Sequence, residues 1–134
     1  MTRATTLRKE DGQSMVEFAL LLPILLVVAL GIMQFGIIYN NYITLTDATR
    51  VGARQAAVSR FLGDSGVSAT AFARNAAAGL DWSKPGASLT ITAADWTAPG
   101  SAITVTATYP YQVNLLGFVV GSGTLKSTTH ERLE

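Results

Sequence analysis

From Phe18 to Tyr39 the chain carries no charged side chain, and a single acid, Glu17, stands at the head of that run. As a helix these 22 residues measure roughly 33 Å, against a hydrocarbon core of about 30 Å in a typical bilayer. Length and composition together predict one membrane-spanning helix. Pro23 removes the backbone bond to the Ala19 carbonyl, a loss that membrane helices commonly absorb through neighbouring groups. Charge at membrane depth costs on the order of 2.5–3.5 kcal/mol at a helix centre and less near the interface. A lone carboxylate at the mouth of such a span is therefore a functional candidate.

The 134 residues leave room for one small aqueous domain after the span, with a thin margin of stability. Ten basic and nine acidic side chains give a net charge of +1. The first twelve residues hold three of the former and two of the latter, so without them the chain is neutral. A neutral body with no basic stripe argues against nucleic-acid binding. Cysteine is absent, which excludes disulfides, thiolate metal sites and cysteine nucleophiles. An ordinary secretion signal fits poorly. Its apolar core would be shorter and would end in a small-x-small cleavage site, where this chain has Gly31-Ile-Met-Gln-Phe-Gly36. Arg3, Arg8 and Lys9 precede the span and Arg50 and Arg54 follow it, so the charge bias leans weakly towards a cytoplasmic amino terminus.

No breaker separates Tyr39 from Arg60. Tyr42, Leu45, Ala48, Gly52 and Ala56 recur at three- and four-residue intervals, with Asp47, Arg50 and Arg54 on the opposite side. The spacing predicts one long helix emerging from the membrane, with Tyr39 and Tyr42 near the headgroups. Ala48, Gly52 and Ala56 form a shallow seam against which another element can lie. A glycine-rich turn follows, then a second amphipathic helix from about Ser68 to Leu80. Ala69, Phe72, Ala73, Ala76 and Leu80 share its apolar face, Ser68 serves as its cap and Gly79 helps close its end.

Leu89, Ile91 and Ala93 alternate with threonines, as do Ile103, Val105, Ala107 and Tyr109, so each set reads as a strand with one buried face. Tyr111 and Val113 keep that phase past Pro110, which implies an edge position or a bulge there. The apolar stretch Asn114 to Gly123 is too short to span a bilayer. It covers the small core, or it touches the membrane surface or a neighbouring subunit. A final strand from about Thr124 to Arg132 completes three antiparallel strands. The expected architecture is α+β: a long amino-terminal transmembrane helix running into a small domain of helix plus three-stranded antiparallel sheet. Its divisions are residues 1–12, 13–60 and 61–134.

Several short motifs carry no chemistry. Gly63-Asp64-Ser65-Gly66 superficially matches the nucleophile segment of chymotrypsin-like proteases, but the one histidine, His130, lies near the end of a chain too short for two barrels. Gly117, Gly121 and Gly123 lack the strand–glycine–helix context of a nucleotide loop. His130, Glu131 and Glu134 fall on different faces of a terminal strand, so no metal or other cofactor is expected. Trp82 and Trp96, beside turns, are expected to cover the core.

Two readings compete for Glu17. It is an acid stabilised by the positive end of the helix dipole, or it is a partner for a new amino terminus. Cutting after Gly12 creates an α-amine at Gln13 with a reference pKa near 8, and Glu17 becomes the fifth residue, one turn along. The ammonium of one subunit and the carboxylate of its neighbour then neutralise each other within lipid.

The segment Gly12-Gln13-Ser14-Met15-Val16-Glu17-Phe18 resembles the prepilin-peptidase site of class III signal peptides. More narrowly, Gly12 to Pro23, then Gly31-Ile-Met-Gln-Phe-Gly36, then Asp47-Ala-Thr-Arg50-Val-Gly52-Ala53-Arg54 resembles the TadE-like family, minor pilins or pseudopilins of the tight-adherence (Flp) pilus system. Gln13-Ser14 stands where many members carry small apolar residues, and Gln34-Phe35 replaces a glutamate-phenylalanine pair.

The resemblance implies cleavage by an inner-membrane prepilin peptidase between Gly12 and Gln13, with Glu17 and Phe18 used in recognition and assembly. The mature protein would wait in the cytoplasmic membrane with its carboxy-terminal domain outside. Its partners would be membrane lipid, other minor and major pilins and the pilus assembly machinery. Such proteins act by assembly and are not enzymes. The competing reading is a single-span anchored module that binds or adheres through its strands.

Overall fold

The computed structural model describes residues 7–63 and 66–134. Met1 to Thr6 of the amino-terminal head, and Asp64 and Ser65 of the Gly63–Gly66 motif, lie outside the described residues. Helix α1, Leu7–Ala57, runs 51 residues without interruption through Pro23. A single 3-10 turn, Ser59–Leu62, closes it. Helix α2, Val67–Ala76, follows, then strands β1, Ser88–Ala93, β2, Ala102–Leu115, and β3, Phe118–Arg132. The strands form one antiparallel sheet in the order β1-β2-β3.

One face of this sheet carries the core. Ile91 pairs with Val105, and Ile103, Val105, Ala107 and Tyr109 are all buried, as their alternation with threonine requires. The other face is a ladder of hydroxyls, with Thr90, Thr106 and Thr128 in register across the three strands. Both helices lie on the apolar face. Leu45, Ala48, Ala73, Ala77, Leu89, Ala107 and Tyr109 make one cluster, and Ala53, Ala56, Ala69, Ile103, Val105 and Leu133 make the next. Alanine dominates the helical side, so the helix axes sit close to the sheet and a small number of β-branched residues fills the gap.

The polar part of the interface is paired. Thr49 is fully buried and its hydroxyl donates to the Thr46 carbonyl at 2.8 Å. With its one hydrogen so used, it accepts from Thr129 at 2.9 Å and from Ser127 at 3.1 Å. β3 thus shows hydroxyls where β2 shows aliphatic groups, and α1 answers with a threonine.

Four expectations change. α2 ends at Ala76, and its buried side is Ala69 and Ala73, continued by Ala77 and Leu80 in the turns that follow. Phe72 is 52% exposed and Ala76 is exposed, because α2 packs mainly on α1, through Ala69 and Ala73, and these two lie off that side. Ser68 lies inside the helix. The N-cap is Gly66 at φ +82°, where a Cβ would stand 2.6 Å from the Trp96 ring, so glycine is required on both counts. Gly79 does not end the helix either; the C-cap is Ala77.

The fourth change is the largest. β3 begins at Phe118, six residues earlier than the alternation suggests, so the apolar stretch does not cover the core. It forms the end of a long β2–β3 hairpin, in which Leu115 pairs with Phe118 across Leu116 and Gly117. β1 stops opposite Thr108, so from Pro110 onwards β2 has a free edge on that side, which is where a strand proline is tolerated. A register shift at Val113/Asn114 bends the far end of the hairpin.

Candidate functional site

Gly12, Gln13, Glu17 and Phe18 all lie on the unbroken first turns of α1. Gln13 and Glu17 are one turn apart, and the Gln13 amide Nε2 donates to Glu17 Oε1 at 3.1 Å. Phe18 is 59% exposed. A Cβ added to Gly12 would meet nothing within 4 Å. Among the described residues, no contact accounts for a glycine at position 12.

From Phe18 to Tyr39, α1 buries none of its apolar residues against the rest of the protein. Leu20, Leu21, Ile24, Leu25, Ile32 and Phe35 are each more than half exposed. Between Glu17 and Asp47 there is no charge. A stripe of solvated leucine on one side would mark an amphipathic helix, but exposure all round marks a helix whose surroundings are apolar. α1 has the length and composition of a single membrane span.

The seam residues lie elsewhere. Ala48, Gly52 and Ala56 are buried by the chain's own sheet and second helix. A Cβ on Gly52 would stand 3.0 Å from Ala73 Cβ, 3.5 Å from Val105 Cγ1 and 3.6 Å from Ile91 Cδ1. The seam and the junction are thus far apart on one helix: forty residues separate Gly12 from Gly52, about 60 Å along the axis.

A third region joins the two. Gln34, inside the uncharged run, donates from Nε2 to the Asn114 carbonyl at 3.0 Å. A cleft of about 470 Å³ opens beside that bond, between Ile37, Ile38 and Asn41 of α1 and Tyr109 to Gln112 of β2. Lys84 lines it and holds its ammonium 5.3 Å from the centre of the Tyr109 ring. Sequence reasoning missed this bond, since no pattern announces that a glutamine will meet a carbonyl eighty residues away.

The titratable groups are in turns and on exposed faces. Ser83, through its hydroxyl and its backbone N–H, donates to the Asp81 carboxylate and holds its pKa below the usual value. The Thr97 backbone N–H and hydroxyl do the same for Asp95. Asp47 and Arg50 pair at 3.8 Å on the outer side of α1. His130 Nδ1 lies 3.0 Å from the Thr104 hydroxyl on the exposed sheet face. Among the described residues no three His, Cys, Asp or Glu side chains converge as metal ligands. Trp82 and Trp96 pack against the two core clusters, and Trp82 Nε1 donates to the Ala77 carbonyl at 3.3 Å.

Residues 12–54 match the model of a family described as TadE-like protein. Over that stretch, about a third of its length, the chain is similar to the TadE-like family. The TadE-like segment opens on Gly12, takes in Gln13, Glu17, Phe18 and the whole apolar run, and reaches past Ala48 and Gly52. It stops before Ala56 and before the sheet. No curated protein and no solved structure matches the chain. The match over residues 12–54 and the span-length helix are together consistent with a membrane-anchored, pilin-like protein.

Proposed function

We propose that this chain is a minor pilin, or pseudopilin, that a prepilin peptidase cuts between Gly12 and Gln13. The cut protein waits in the cytoplasmic membrane on α1, with the sheet domain outside, and enters Tad/Flp pilus assembly alongside other minor and major pilins. One observation carries this reading. A glycine with open space around it stands five residues before the single acid that heads an uncharged, exposed apolar run.

The chemistry follows from that placement. Hydrolysis of the Gly12–Gln13 bond leaves a carboxylate on the released head and an ammonium on Gln13, charged at neutral pH because its reference pKa is near 8. Glu17 then sits one turn inside a new helix terminus. In lipid, an unpaired carboxylate penalises every packing register except the one that brings an ammonium to it. The pair therefore sets how far one subunit is displaced along the next.

Replacing Gly12 with leucine tests the cleavage. Open space surrounds that position, so the protein should still fold and insert. We expect unprocessed protein to accumulate in cells that contain the peptidase. Normal processing of Gly12→Leu would remove the support for a peptidase site here. An anchored binding module has the cleft between α1 and β2 in its favour. It predicts protein that stays in the membrane whether or not the peptidase is present.

A further inference from the structure

We propose that the end of the β2–β3 hairpin is a second membrane contact, seated in the lipid of the leaflet on the sheet's side of the bilayer. It rests on α1 being a span, and it is independent of cleavage at Gly12.

The first support is position. β2 runs antiparallel to α1, with Val105 opposite Gly52 and Asn114 bonded to Gln34. Nine strand residues cover about 30 Å and eighteen helical residues about 27 Å, so strand and helix descend together. Gln34 lies five residues, about 7.5 Å, on the membrane side of Tyr39. Leu116 and Gly117 lie beyond Asn114 in the same direction. The hairpin therefore reaches past the tyrosines that mark the end of the span.

The second support is composition against exposure. Leu116, Phe118, Val119 and Val120 are each 58–76% exposed, and no charged side chain occurs between Asp95 and Lys126. Among the described residues, nothing covers these side chains. A patch of this kind is unfavourable in water, and the Gln34–Asn114 bond holds the hairpin against the exposed apolar run of α1. Directly above it, Asn41, Gln112 and Lys84 line the cleft with polar groups at the height of the headgroups.

The third is backbone conformation. Leu116 has φ +52° and Gly117 has φ +90°, so both central residues of the turn are left-handed. Asparagine or glycine would hold the first position without strain, whereas leucine there is strained. Leucine at that point sacrifices turn stability and keeps an apolar side chain at the extremity.

The free outer edge of β3 limits the depth. Unpaired strand groups are not tolerated in hydrocarbon, so the tip rests at the headgroup–acyl boundary, about 5–10 Å in. The chain has no cysteine, which makes a direct test simple. Full-length Val119→Cys, labelled with an environment-sensitive fluorophore, is inserted in vesicles of neutral and anionic phospholipid containing nitroxide-bearing acyl chains. Thr92→Cys, on the far sheet face, is the control, and Val120→Cys repeats the reading at a second position. We expect blue-shifted emission and several-fold quenching at Val119 and Val120, unchanged as protein is diluted in lipid, and neither at Thr92. Emission like that of Thr92 would overturn the proposal. So would a shift that vanishes on dilution, since it would place a second copy of the chain on the tip.

Discussion

Gly52 and Ala73 meet where α1 crosses α2, so closely that a Cβ on the glycine would stand 3.0 Å from that of the alanine. Two effects oppose each other at this contact. A glycine inside a helix costs roughly 0.5–1 kcal/mol relative to alanine, and a methyl group at 3.0 Å forces a shift of a few tenths of an ångström. Gly52→Ala is expected to be close to neutral. Gly52→Leu is expected to lose about 1–3 kcal/mol or more by overpacking. Denaturant titration of the full chain in detergent, followed by tryptophan fluorescence, checks both, since Trp82 and Trp96 lie on the two core clusters.

Ile103 is fully buried and belongs to the cluster closed by Leu133. Ile103→Ala should destabilise the sheet domain by about 2–5 kcal/mol. Leu25→Ala, on the exposed membrane run, should leave that transition where it was. Equal effects of the two substitutions would mean that the apolar run packs on the domain.

Thr49 accepts from two hydroxyls of β3. Thr49→Val keeps the shape and removes the acceptor, leaving the buried Ser127 hydroxyl without it. A loss of about 1–3 kcal/mol is expected, the usual cost of an unsatisfied buried polar group. The double substitution Thr49→Val, Ser127→Ala should recover part of it; no recovery would show that the two hydroxyls are not coupled.

Asp81 and Asp95 have carboxyl groups whose pKa is lowered in the folded protein from a usual value near 3.8. A depressed pKa contributes stability above the unfolded value, and that contribution fades as pH falls through the folded one. The two turns should therefore loosen only below the usual carboxylate range. Carboxyl carbon chemical shifts followed by NMR should give midpoints under 3.8 for both residues. A midpoint above that would contradict the hydrogen bonding from Ser83 and Thr97.

The parts of this fold that could be read from sequence are those with a period. The uncharged run declares a span by length, Leu45, Ala48, Gly52 and Ala56 declare a stripe, and alternation with threonine declares two strands. The hairpin was not legible, for a physical reason. Phe118-Val119-Val120 is apolar on both faces, so it shows no alternation, and Leu116-Gly117 lacks the asparagine that normally announces such a turn. Phe72 misled because the buried side of α2 is decided by where α1 and the sheet stand, not by the largest side chain. Leu133, 2% exposed, follows a polar strand with nothing to mark it as core. The junction at Gly12 was legible for the opposite reason, since among the described residues no packing within the chain influences it.

Glu17→Ala separates the two halves of the functional account. Cleavage after Gly12 should proceed, because the substitution leaves the glycine and the apolar run in place. Incorporation into filaments should fall, because the Gln13 ammonium loses its partner. Filaments of normal number and composition from this variant would contradict the pairing.

The most direct measurement is the intact mass of the protein recovered from the membranes and filaments of cells that make it. The account predicts a chain beginning at Gln13, lighter by the first twelve residues. Only full-length chain beginning at Met1, in cells with an active prepilin peptidase, would contradict it.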